Sequence, residues 1–235
     1  MGKRLCFKGL VLVALSSGAL ASPFSQAQLD CLPAPTVVAR QADERYAMQA
    51  GGDFLIVANE RFGPIHSGSS EEELKELFGA SQVRREKMYV GDGQEWDGVA
   101  IYPDQPEKRV EVFWFEEDAS KVQLIQVHGE RSEWKTSQGV TLGTTLLELE
   151  RLNGRPFDIL GLGWDFGGGI MDWKGGALEG LTLRCDHTTV ELTDQESAAV
   201  MGDQTVSSSL PAMRKANPAV SKITLSFSLP STEEM

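Results

Sequence analysis

The sequence predicts an α+β protein of two tandem units, each a short capped helix packed on an antiparallel β-meander. Three observations carry this. The segment Gly68-Ser69-Ser70-Glu71-Glu72-Glu73-Leu74-Lys75-Glu76-Leu77-Phe78-Gly79 aligns without a gap with Gly143-Thr144-Thr145-Leu146-Leu147-Glu148-Leu149-Glu150-Arg151-Leu152-Asn153-Gly154, at a constant offset of 75 (143 − 68). Such internal similarity marks a duplicated structural unit. Each copy is followed by short segments of period-two hydrophobicity separated by turn formers, the pattern of adjacent antiparallel strands. A helix followed by a run of strands is the order in which a helix comes to cover one sheet face.

Residues 1–21 read as a secretory signal: Lys3, Arg4 and Lys8 precede the apolar run Leu10 to Leu15, and Ala19-Leu20-Ala21 supplies a small-x-small cleavage pattern before Ser22. The apolar run is too short to span a bilayer, and no later segment has a long uncharged apolar stretch. The expectation is export to a periplasmic or secreted location without stable membrane insertion. Residues 22–52 form an N-terminal segment with little pattern, and Phe54-Leu55-Ile56-Val57 predicts an edge strand.

The first unit spans 53–135. Ser70 and Glu73 have the spacing of a capping box, Leu74 and Leu77 share a helix face, and Gly79 suits the helix stop. Strands follow at Lys87 to Val90, Gly98 to Tyr102, Arg109 to Phe115 and Val122 to His128, with Val110, Val112 and Trp114 on one side and Glu111, Phe113 and Phe115 on the other. The second unit spans 136–235. Its helix has the Thr145/Glu148 box and Gly154 stop, and its strands are predicted at Phe157 to Leu162, Ile170 to Trp173, Leu181 to Cys185 and Val190 to Leu192. Ile223 to Leu229 would close the second sheet. Residues 195–221, polar and interrupted by Pro211 and Pro218, read as a long excursion with a helical turn near Ala212 to Lys215.

Charge narrows the partners. The formal net charge is −12, and loss of the three cations of the first 21 residues leaves −15 (−12 − 3). Nucleic acid is a poor partner for such a chain. Export would leave Cys31 and Cys185; in an oxidising compartment they either pair as a disulfide or stay as two buried thiols.

The residues give little chemistry. His66, His128 and His187 fall in separate segments without metal-ligand spacing, so no metal and no cofactor is predicted. Cys185 and His187 would share one side of a strand, which permits a thiol–imidazole contact and a hydrolase-like alternative using His187. A small-ligand carrier is a further alternative and needs a pocket between sheet and helix. The glycine-rich stretch Gly161 to Gly169 lacks the spacing of a dinucleotide fingerprint or a phosphate loop and reads as a wide hairpin. Trp164, Asp165, Phe166 and Trp173 are the candidate binding residues, with the aromatic rings set to stack around this loop either as packing or as a contact surface.

The repeated pattern G-[ST]-[ST]-x-x-E-L-x-x-L-x-G, over residues 63–79 and 138–154 with a meander after each, resembles the beta-lactamase-inhibitor-protein-like fold shared with the SmpA/OmlA outer-membrane lipoproteins of the barrel-assembly machinery. Ser69 and Thr144 stand where that family commonly has methionine, and no lipid-attachment cysteine is present. The arrangement is otherwise similar to uncharacterised exported bacterial proteins, which imply no activity. The resemblance implies a non-enzymatic protein working through the concave face of its sheets. The expectation is thus an exported binding or inhibitory protein that uses a sheet face and its Trp-rich loop, with a protein partner in the cell envelope.

Overall fold

The computed structural model of the chain describes residues 52–228 except 92, 117 and 187–189. Both copies of the duplicated segment form helices. In α1 (Glu71–Phe78) the Ser70 hydroxyl accepts from the Glu73 N–H at 3.2 Å. In α2 (Leu146–Asn153) the capping box is complete, the Glu148 carboxylate accepting from the Thr145 N–H at 2.8 Å. The box expected at Ser70 is only half formed, and Glu73 lies 3.9 Å from His66 Nε2 instead. One residue upstream the two copies again agree: Ser69 Oγ accepts from the His66 N–H at 3.2 Å, and Thr144 Oγ1 from the Thr141 N–H at 3.0 Å. Hydroxyls stand at these positions because they fold the entry loop back on itself. Leu74 and Leu149, equivalent under the repeat, are both fully buried in one continuous core. Gly154 closes α2 in the left-handed conformation, whereas Gly79, with φ 90° and ψ 133°, leads into a single 3-10 turn over Ala80–Gln82.

The fold is α+β, with sheet dominating. Strands β4 (Val83–Gly91), β5 (Gln94–Ile101), β6 (Val110–Trp114) and β7 (Val122–His128) form the antiparallel meander expected after α1. Val99, Val112 and Ile125 stand opposite one another across three strands and are buried in the same core as the helices. The chain's last described strand, β13 (Ala219–Ser226), does not close a separate second sheet. It pairs with β7, because Leu225 and Ile223 meet Ile125 and Val127 in register and extend the apolar rows. β11 (Thr182–Asp186) pairs with the other edge of β13, giving a six-stranded sheet in the order β11-β13-β7-β6-β5-β4.

Two smaller sheets complete the architecture. β1 (Leu55–Val57) is an inner strand rather than an edge, between β2 (Arg61–Phe62) and a parallel β8 (Lys135–Thr136), with β3 (Ile65–His66) beyond β2. β9 (Asp158–Leu160) lies between β10 (Ile170–Asp172) and β12 (Thr205–Ser207).

The excursion at 195–221 is ordered. It holds α3 (Asp194–Val200), β12 and α4 (Pro211–Ala216), the last where a helical turn was expected. A complete capping box between Thr193 and Glu196 starts α3, and Pro211 suits the first turn of α4 because it has no N–H to satisfy there. Val190 to Leu192 is not a strand but the approach to that cap. Among the described residues no helix is long and apolar enough to cross a membrane.

Candidate functional site

The alternation that buries Val112 against the helices turns its neighbours Glu111 and Phe113 to the opposite face of the six-stranded sheet. Among the described residues no helix contributes a buried side chain to the small apolar cluster on that face, which consists of Met88, Ala100 and Phe113 flanked by Val90, Trp96 and Leu124. Gly98 makes this cluster possible. A Cβ there would stand 2.7 Å from both the Phe113 ring and the Val112 carbonyl, so the bare backbone is what lets the ring lie across β5.

Beside the apolar cluster the same face is ionic. Glu111 stands opposite Ala100 on β5 and Gln126 on β7 and is only 2 % exposed. Its carboxylate accepts from Arg109 Nε and Nη2 at 3.0 and 2.9 Å and from Gln126 Nε2 at 2.8 Å, and lies 3.1 Å from His128 Nε2. Arg109 also donates to Glu86 at 2.9 Å, and Glu86 accepts from Arg84 at 2.6 Å. Positive and negative groups thus alternate across β4, β6 and β7, the arrangement in which buried charge is tolerated. Burial alone would raise the Glu111 carboxyl above its ordinary 4.5. The hydrogen bonds with His128 and Gln126, the His128 charge and Arg109 outweigh it and hold the group at about 2. A carboxylate so fully engaged stays ionised at neutral pH and is not poised for proton transfer, which favours a group ordinarily titrating near the working pH.

Glu86, Arg109, Glu111 and His128 floor a groove of about 970 Å³, whose walls include Tyr89, Glu130, Arg184, Asp186 and Lys222. The groove lies on the outer face of the sheet; the space between sheet and helices is occupied by core side chains such as Leu74, Leu149 and Ile223.

The four residues singled out from the sequence do not form one cluster. Trp164 and Phe166 meet edge to face at 5.4 Å between ring centroids; Trp164 is half-buried and donates to the Gly161 carbonyl, while Asp165 and Phe166 are exposed. Trp173 is a core residue, 4 % exposed, packed against Phe157 with the rings tilted by 56° and donating to the Leu181 carbonyl at 2.8 Å. Its place at the end of β10 points the ring inward, so it is unavailable to the loop surface. The loop itself stands next to the groove: Trp164 and Asp165 line a smaller cleft of about 300 Å³ together with Arg184, Cys185 and Asp186, and Arg184 and Asp186 also line the larger groove. The glycines here serve backbone contact. A Cβ on Gly168, at φ 75°, would run into the Cys185 carbonyl, and the Cys185 N–H donates to the Gly168 carbonyl.

Cys185 is fully buried, and burial followed by the charge of Asp186 pushes its thiol up to about 12; a protonated, enclosed thiol is a poor nucleophile. Cys31 and His187, the partners considered for it, lie outside the described residues. His66 is exposed, its Nδ1 accepting from the Gly68 N–H within the α1 entry loop. Among the described residues no group of three or more His, Cys, Asp or Glu side chains could hold a metal ion.

Sequence reasoning placed Glu111 on the face opposite Val112 but did not single it out, and passed over Arg109, Gln126, Arg184 and Lys222. The available signal was a carboxylate between two valines at the centre of a strand, an expensive position without partners. Comparison of the chain with protein-family models, with curated proteins and with solved structures finds no match in any of the three.

Proposed function

We propose that the chain is an exported, non-catalytic binding or inhibitory protein that receives a protein partner of the cell envelope on the open face of its six-stranded sheet, with the Trp164–Phe166 loop at the rim. The observation that carries this reading is the groove itself. It combines a preorganised charge network around Glu111 with the exposed ring of Tyr89 and adjoins, through Arg184 and Asp186, the loop that carries the exposed Phe166, and rigid elements that present aromatic and charged groups together are what protein interfaces use. The likeness of the two helix entries to tandem inhibitor proteins supports the inhibitory form. The signal-like segment at 1–21 supports the location.

The test is site-specific photocrosslinking in cells that export the protein. A photoreactive residue replacing Tyr89 or Phe166 should give a discrete protein adduct, and one replacing Leu147, exposed on the helix side, should not. Equal adducts from all three positions, or none from Tyr89 and Phe166, would overturn the reading.

A further inference from the structure

Three neighbouring strands, β7, β13 and β11, place His128, Lys222 and Arg184 directly opposite one another. Together they make a single row of basic side chains along the groove. Directly opposed like charges destabilise a sheet, and here the local anions relieve them only in part, His128 meeting Glu111 Oε1 at 3.1 Å. Glu111 is engaged by Arg109, Gln126 and His128. Asp186 Oδ1 stops 3.7 Å from Arg184 Nε, beyond hydrogen-bond reach. Among the described residues the Lys222 ammonium has no hydrogen bond or ion pair, and Arg184 Nε is buried without an acceptor. Burial and the neighbouring Arg184 both push the Lys222 amine below its ordinary value, against the pull of Glu111 and Asp186.

A donor without an acceptor costs free energy where it is buried, as Arg184 Nε is, and Arg184 and Lys222 both line the groove, where an outside acceptor can meet the pair. We infer that the Lys222–Arg184 pair is a receptor for a carboxylate group, one oxygen facing the ammonium and the other the guanidinium. A singly charged, planar anion fits better than a phosphate, because Glu86, Glu111, Glu130 and Asp186 line the same groove and would repel a second negative charge. Met88, also in the groove wall and part of the open-face apolar cluster, offers an apolar bed for the carbon skeleton that carries the carboxylate. The inference rests on the binding role of the open face and names the chemistry recognised there. The carboxylate has two sources, a side chain or terminus of the partner protein, or a free organic acid.

Hexanoate titrated into the intact protein should move the backbone amide resonances of Ser221, Lys222 and Arg184, and hexylammonium should not. Lys222→Gln and, separately, Arg184→Gln should each weaken hexanoate binding about tenfold or more, the loss of one charge-assisted contact. Without ligand, Lys222→Gln should also unfold at a higher temperature than the parent, since it removes an opposed like charge; a lysine with a merely structural role would lower that temperature. Absence of hexanoate binding, or equal binding by parent and both variants, overturns the inference and leaves the crosslinking result untouched. With binding established, excess hexanoate that suppresses the Tyr89 adduct assigns the carboxylate to the protein partner, and an unaffected adduct assigns it to a free acid.

Discussion

On one face of the six-stranded sheet Val99, Val112, Ile125 and Ile223 are buried in a core completed by Leu74 of α1 and Leu149 of α2; on the other, Glu111, Gln126, Lys222 and Arg184 occupy the alternate positions of the same strands. The covered face is held by contact area. Each of its side chains is replaceable in kind, and its contribution follows the apolar surface removed from water. The open face is held by specific pairing, where the loss of one partner leaves another buried group unsatisfied. The open face thus divides between an apolar cluster around Phe113 and paired charges around Glu111, where the covered face is apolar throughout its centre.

The largest effect should come from the covered face. Leu149→Ala removes a fully buried side chain and should cost about 2–5 kcal/mol in urea unfolding, with Leu147→Ala, exposed on the same helix, within about 0.5 kcal/mol. Equal losses would mean that α2 is not seated on the sheet through Leu149.

Acid should discriminate the open face. The Glu111 carboxyl is held at about 2 against an ordinary 4.5, so its contribution to stability is complete above the ordinary value and is lost as pH falls through the lowered one. Over that window the parent should lose roughly 3 kcal/mol more than Glu111→Gln. Unfolding curves at several pH values for the two proteins give the difference, and parallel pH profiles would show that the network contributes nothing.

The smallest expected effect lies where the two chemistries meet. Gly98→Ala places a methyl group against the Phe113 ring and the Val112 carbonyl and should cost about 1–3 kcal/mol. Unchanged stability would mean that β5 shifts freely and that the ring is not fixed across it.

Local signals in the chain reached the elements but not all of their partners. Ser70, Thr145, Leu74 and Leu149 announced both helices, since a cap and a helical face depend only on residues a few positions apart. The meander was legible for the same reason: its turns lie between neighbouring strands. The pairing of β13 with β7 was not, because register between segments so distant in sequence depends on which apolar rows meet in space. The Thr193-x-x-Glu196 box that starts α3 was readable by the rule applied at Thr145, and the polarity around it hid it. The open-face row was invisible in one dimension, as His128, Arg184 and Lys222 are ordinary surface residues until three strands bring them side by side. Trp173 was misplaced because its nearness in sequence to Trp164 said nothing of which way β10 turns it.

The order of synthesis gives β13 a further role. Every other described strand leaves the ribosome before it, yet it sits between β7 and β11. Until it emerges, both neighbours present unpaired edges on which another chain could add a strand, and the sheet has to wait for its most distant pairing, the slow kind of closure. The six-stranded sheet is therefore completed only when β13 inserts between two strands made well before it, and that insertion covers both of their open edges at once.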